Sequence, residues 1–145
     1  MNNLLFDFGN VIIDIDVDGA MGRMTKLLKS DGDRAILTGI VNEYECARIS
    51  TDIFLNKIIS HSRPGVQAFH IIEAWNSMLI GIPTHRLEML RKLRKKYNVY
   101  LLSNTNELHL EWVHHHLRRV HEVENFEKEF FDHVFYSHLV RDRKP

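Results

Sequence analysis

The sequence predicts an α/β fold: a parallel sheet flanked by helices, with a helical subdomain inserted after the first strand. Two observations carry this. Short apolar runs at residues 4–8, 98–102 and 133–137 read as strands, and helical patterns separate them. Strands alternating with helices imply a parallel sheet with right-handed crossovers. The stretch between the first two strands, about residues 15 to 83, is far longer than one crossover helix requires and is itself patterned as helices. The expected division is a core of residues 1–14 and 84–145 and a helical unit of residues 15–83.

Taken in order, residues 4–8 are apolar except for Asp7. A strand apolar on both faces belongs in the middle of a parallel sheet. A carboxylate at its C-terminal end is costly unless it is paired or used. Gly9 and Asn10 supply a turn, and Val11, Ile12 and Ile13 form a second apolar run ahead of Asp14, Asp16 and Asp18. The alternate spacing of these aspartates suits the start of a calcium loop. Gly19 is misplaced for that loop's glycine, however, and no glutamate stands where the loop needs its last ligand. The three read as solvent-facing residues where the core hands over to the helical unit.

Ala20, Met24, Leu27 and Leu28 mark one face of a helix over residues 18–30. A weaker pattern covers 35–46. Ser50 is placed to cap a helix carrying Ile53, Phe54 and Ile58. After the Pro64-Gly65 break, Phe69, Ile72, Trp75 and Met78 mark a helix over 66–79. Thr84 is expected to cap the next helix, through Tyr97, whose last turns carry a basic cluster suited to the helix dipole. The second strand, 98–102, runs into Ser103, Asn104, Thr105 and Asn106. A helix over 107–120, a short one over 126–131 and the third strand complete the reading.

Hydrophobic residues at 44% and charged ones at 26% place the chain among soluble globular proteins rather than disordered ones. Lys and Arg total 19, as do Asp and Glu, so charge gives no reason to expect nucleic acid or an anionic membrane as partner. Cys46 is the single cysteine, which rules out an intramolecular disulfide and fits a reducing cytoplasm. The first residues carry no basic, apolar leader pattern. No run approaches the ~18 apolar residues of a membrane span.

Ligands in such sheets bind at the carboxyl ends of the strands. Asp7, Ser103 and Lys144 all lie there by chain order. An aspartate at a strand end can act as a nucleophile and form an acyl phosphate. Phosphate and carboxylate repel, so such a site needs donors and positive charge. Ser103 and the N–H groups opening the following helix would supply donors, and Lys144 would neutralise charge on both partners. A hard cation such as Mg²⁺ would complete the set.

These residues carry a family resemblance. Phe6-Asp7-Phe8-Gly9-Asn10-Val11-Ile12, Leu102-Ser103-Asn104-Thr105-Asn106 and Arg143-Lys144-Pro145 resemble, in order, the first three motifs of the haloacid dehalogenase-like (HAD) hydrolases. Among these the chain is most similar to the bacterial subgroup that includes glucose-1-phosphate phosphatases. The resemblance implies a Rossmann-like core with a small helical cap and a Mg²⁺-dependent phosphatase acting on a small phosphorylated metabolite such as a sugar phosphate. It implies Asp7 as nucleophile and metal ligand, Gly9 giving its carbonyl to Mg²⁺, Ser103 and Asn104 on the phosphate, and Lys144 bridging nucleophile and phosphate. Two other readings stand beside it: a dehalogenase whose aspartate attacks carbon without a metal, and a HAD-like domain that binds without catalysing.

The chain departs from the family's pattern twice. Gly9 occupies the position where most HAD phosphatases carry a second aspartate as general acid. Loss of such a group costs about 10²–10⁴ in rate, least for a leaving group of low pKa such as an anomeric oxygen. The fourth, acidic motif is absent, so the core is expected to be incomplete. Pro145 suits the first turn of another helix, and without a further strand the first would be a bare edge.

His109, His114, His115, His116 and His121 crowd one predicted helix. Consecutive residues there point ~100° apart and cannot converge on one ion, so the expectation is a solvated polar face. Trp75 and Trp112 are expected to pack in the interior.

Overall fold

In a computed structural model, the backbone of residues 1–145 and every side chain except that at position 31 are described. The chain runs β1 (Asn3–Phe6), β2 (Asp14–Ile15), α1 (Val17–Leu27), α2 (Arg34–Glu45), α3 (Thr51–Ser60), α4 (Ala68–Asn76), β3 (Leu79–Gly81), α5 (Thr84–Arg94), β4 (Asn98–Ser103), α6 (Glu107–His121), α7 (Phe126–Phe130), β5 (His133–Tyr136) and α8 (Ser137–Val140). The strands of the main sheet pair in parallel in the order β1-β4-β5. This is the α/β architecture the sequence implies.

The sheet is asymmetric. Its inner face presents Val99 and Leu101 of β4, both fully buried, with Phe6 and Val134 beside them. Leu87 and Leu90 of α5, Val113 and Leu117 of α6, and Phe126 and Phe130 of α7 cover that face. Right-handed connections that step in one direction across a sheet place their helices on one side. The opposite face carries Leu5, 62% exposed, and Phe135, 38% exposed. The apolar first strand forms one edge, with pairing on a single side, the bare edge expected of it without a further strand.

Between β1 and α1 the chain turns sharply. Asn10 adopts a left-handed conformation (φ 56°) that asparagine tolerates better than most residues. Its side chain accepts a hydrogen bond from Ile15 N at 3.0 Å. Ile12 and Ile13 are thereby driven fully into the core. The short antiparallel pair β2–β3 then ties the entry of the helical unit to its exit, a feature the sequence reading did not contain. Asp14 and Asp16 are not simply solvated. Asp14 pairs with Arg86 at 2.8 Å, and Asp16 caps α1 by accepting from Gly19 N at 2.9 Å.

Helices α1 to α4 enclose a second cluster around Met24, Leu37, Phe54, Ile58, Ile71 and Trp75. Ser50 caps α3, accepting from Ile53 N. Thr84 is not the cap of α5; Pro83 holds that place and the helix stops at Arg94, short of Tyr97. Leu108, in the first turn of α6, packs into the helical unit's cluster rather than the sheet's. No helix of the described residues is long and apolar enough to cross a membrane.

The histidines correct the expectation of a solvated face. His109 is buried and stacks on Trp75, ring centroids 4.4 Å apart, while donating from Nε2 to Trp75 O at 3.1 Å. His116 Nε2 accepts from Ile82 N, and His121 Nε2 donates to Ile82 O, so this pair grips the exit of β3. His114 pairs with Glu127. Only His115 is open to solvent. The reason is local: α6 packs its inner face on the sheet and its first turn on the helical unit, and its open stripe is carried by Glu107, Glu111, His115 and Arg118.

Candidate active site

Asp7 follows the last residue of β1. Lys144 Nζ lies 2.9 Å from Asp7 Oδ1, and the backbone N–H of Phe8 donates to the same oxygen at 2.7 Å. The second carboxylate oxygen accepts no hydrogen bond from the described residues. The Asp7 side chain is 55% exposed and that of Lys144 31%. Ion pairs this open contribute at most about 1 kcal/mol, so the contact is weak as a stabilising device. It matters as a placement of charge.

Lys144 has no regular secondary structure to hold it. Its backbone is fixed by Asn104, whose Oδ1 accepts from Lys144 N at 2.8 Å and whose Nδ2 donates to Lys144 O at 3.4 Å. Its ammonium also donates to Leu102 O at 3.3 Å. The side chain of Asn104 thus clasps the segment carrying Lys144. Ser103, the last residue of β4, is buried. Leu102, Ser103, Asn104, Ser137, Asp142 and Lys144 are among the residues lining a cavity of about 240 Å³. Asp7 does not line it and faces open solvent.

The loop of residues 103–106 is shaped by two residues the sequence reading did not single out as site residues. Ser137, buried at the start of α8, accepts from Thr105 N at 2.9 Å and donates to Thr105 O at 3.1 Å. Asn106, fully buried, caps α6 by accepting from His109 N and also accepts from Trp75 Nε1 at 3.3 Å. Polar side chains before a helix signal a cap. Nothing in their spacing signals that a tryptophan from the helical unit completes it.

A Cβ built at Gly9 would lie 2.6 Å from Ile15 Cδ1, the end of a partly exposed side chain that can turn aside. Among the described residues no group of three or more His, Cys, Asp or Glu side chains converges on one point. Mg²⁺ does not require such a cage: it is commonly held by one or two carboxylates and keeps several waters. The open carboxylate of Asp7 and the backbone carbonyl of Gly9 are oxygen donors of the right kind.

No family model matches the chain. A D-ribitol-5-phosphate phosphatase from Bacteroides thetaiotaomicron is 34% identical over 117 residues, covering 78% of this chain and 57% of that protein. The chain therefore spans little more than half the length of that relative. A HAD family enzyme from the same organism, solved in complex with magnesium and inorganic phosphate, matches with a TM-score of 0.83 at 32% identity, covering 100% of this chain and 73% of that one. The chain belongs to the HAD family. A HAD-like family hydrolase from Porphyromonas gingivalis shares the fold at a TM-score of 0.82 and 23% identity, covering 100% of this chain and 70% of that one. Both the HAD-like resemblance and the α/β fold it implies hold.

Of the residues the sequence singles out, the fold brings Asp7, Asn104 and Lys144 together and buries Ser103 at the end of β4. One residue escaped the sequence reading altogether. Glu45, at the end of α2, pairs with Arg143 at 3.2 Å across 98 positions of sequence, a distance no local pattern spans.

Proposed function

We propose that the chain is the nucleophile-bearing part of a Mg²⁺-dependent phosphatase of a small phosphorylated metabolite, a sugar or polyol phosphate. The single observation that carries the reading is the Lys144 ammonium 2.9 Å from the Asp7 carboxylate at the end of β1. Two like-charged reactants must meet there, and a fixed cation on the nucleophile offsets their repulsion. The identity and cofactor of the relatives support the same chemistry: one is named a D-ribitol-5-phosphate phosphatase, and another binds magnesium and inorganic phosphate.

In this reading a carboxylate oxygen of Asp7 attacks phosphorus, the bond to the leaving oxygen breaks, and an aspartyl phosphate forms. Water then cleaves it, returning Asp7 and releasing phosphate. Lys144 holds charge on Asp7 and on the phosphoryl oxygens, and Ser103 and Asn104 hold the phosphate. Asp7 and the Gly9 carbonyl would hold Mg²⁺, which when bound supplies further charge neutralisation. Residues 15–83 form the cap that covers the site and selects the substrate. With glycine at position 9, the leaving oxygen takes its proton from water or from the substrate.

The test is hydrolysis of a panel of sugar and polyol phosphates with and without Mg²⁺, for the native sequence and for Asp7→Asn. Metal-dependent phosphate release that disappears in Asp7→Asn is expected. Halide release from haloacids without metal would overturn the reading in favour of a dehalogenase. Absence of phosphate release before and after the substitution would leave a binding domain.

A further inference from the structure

The proposed site depends on a segment, residues 141–145, that has no strand or helix to fix it after α8. Arg141 begins it in a left-handed conformation (φ 62°). The core holds it through Asn104, through Lys144 Nζ on Leu102 O and Asp7, and through Asp142 N, which donates to Ser137 O at 3.1 Å. Two further anchors come from the helical unit. Arg143 Nη2 donates to Glu45 Oε1 at 3.2 Å, and Arg141 Nη2 reaches Ala47 O at 3.5 Å. Glu45 and Ala47 sit together where α2 ends, and Ala47 is itself left-handed (φ 55°), a turn that sets both acceptors toward the segment.

The Glu45–Arg143 pair differs from the molecule's surface pairs. The Glu45 side chain is 12% exposed, against 42% for Glu43 in its pair with Lys57. Burial pushes the Glu45 carboxyl up, and the Arg143 guanidinium pulls it back down. Arg143 Nε is buried and finds no partner. The Arg143 side chain is itself 33% exposed, so the pair is half-buried. Without Glu45 the guanidinium loses its carboxylate partner and can swing out to water, which loosens the segment that carries Lys144.

The same end of the helical unit also holds the helix that follows the other motif loop. Tyr44 OH accepts from Leu108 N at 3.3 Å in the first turn of α6 and bonds Thr51 Oγ1 at 2.8 Å, while Thr51 donates to Glu107 at 2.9 Å. The segment that carries Lys144 and the helix that follows Ser103 and Asn104 are thus anchored to the α2–α3 corner.

We propose that Glu45 is a positioning residue: by holding Arg143 it sets Lys144 on Asp7, so that docking of the helical unit assembles the site. The inference rests on the phosphatase reading for its kinetic consequence but not for its structural one. Two measurements on the full chain separate these, using Glu45→Gln and the conservative Glu45→Asp, with Glu43→Gln as the surface control. The first is amide hydrogen exchange. Glu45→Gln is expected to speed exchange at Asp142 and Lys144 by about tenfold or more, while α6 and β4 keep their protection. Glu45→Asp is expected to restore part of it, and Glu43→Gln to leave it unchanged. The second is hydrolysis of an aryl phosphate with Mg²⁺. Misplacement of about 1 Å can cost up to ~10² in rate, and the loss in Glu45→Gln is expected mainly in kcat, with KM moving less. Unchanged exchange at residues 141–145 in Glu45→Gln would overturn the proposal whatever the activity. So would a fall in activity that follows the unfolded fraction at the assay temperature. If the native chain hydrolyses nothing, the phosphatase reading fails and the exchange result still decides the positioning role.

Discussion

The molecule contains two hydrophobic clusters, and they are closed differently. The helical unit surrounds its own: Phe54, Ile71 and Trp75 are buried from every side, and Tyr44 stacks on Phe54 with ring centroids 4.1 Å apart. It even borrows Leu108 from α6 to finish the enclosure. The sheet is closed on one face only. Val99 and Leu101 are fully buried beneath α5, α6 and α7, while Leu5 and Phe135 on the other face meet solvent. Parallel sheets are normally covered on both faces. The lesson is that the proposed site's nucleophile hangs from an edge strand, whereas the segment that carries Lys144 is tied both to β4 and its loop and to the enclosed helical unit.

That contrast sets the sizes of the substitutions that test it. Phe54→Ala is expected to cost most, about 3–5 kcal/mol, because a stacked aromatic in a closed cluster leaves a cavity that cannot collapse. Equilibrium denaturation measures it, and a loss below about 1 kcal/mol would show that the helical cluster is loose. Leu101→Ala on the covered face of the sheet is expected to cost roughly 3 kcal/mol by the same measure. A cost equal to or above that of Phe54→Ala would reverse the comparison.

The junction between the clusters has a pH signature. Burial lowers the His109 pKa from 6.5 to about 4, partly opposed by its hydrogen bond to Trp75 O. The unfolded chain binds a proton at this residue from about pH 6.5 downward, and the folded chain does not until about pH 4. Stability is therefore full above pH 6.5 and falls as pH drops toward 4. At about 1.4 kcal/mol per unit this amounts to roughly 3 kcal/mol across the window. His109→Phe keeps an aromatic ring against Trp75 and cannot be protonated. Denaturation midpoints between pH 7 and pH 5 are expected to slope less in the variant than in the native sequence. Equal slopes would mean that His109 already reaches water.

Much of this was legible in the sequence, and the parts that were not share a cause. The strands, the polar run at Ser103 to Asn106 and the order of the three motifs follow from local patterns, because each is written in adjacent residues. Asp7, Ser103 and Lys144 were found that way and Asn104 through the family resemblance, and the fold brings Asp7, Asn104 and Lys144 together. Long-range pairings are not written locally. The burial of His109 depends on Trp75, the cap of α6 on that same ring, and the setting of Arg143 on Glu45. The β2–β3 pair is too short to carry a period. The edge position of β1 agrees with the bare edge expected of it without a further strand, while its all-apolar run still reads as one that belongs mid-sheet.

The smallest expected effect is the sharpest probe of the sheet's open face. Leu5 lies in β1 opposite Tyr100 in β4, on the face away from α5 and α6. A side chain 62% exposed has little apolar area left to lose, and surface substitutions of this kind usually fall within about 0.5 kcal/mol. Threonine also suits a strand. Leu5→Thr is therefore expected to leave the denaturation midpoint nearly unchanged while lowering the binding of a hydrophobic dye, and Leu4→Thr, one residue away on the opposite face of the strand, is expected to cost more. The pair separates the two faces directly, since successive side chains of a strand alternate sides. If Leu5→Thr proved the costlier of the two, the outer face would be covered in solution and the asymmetry of the sheet would not describe the molecule.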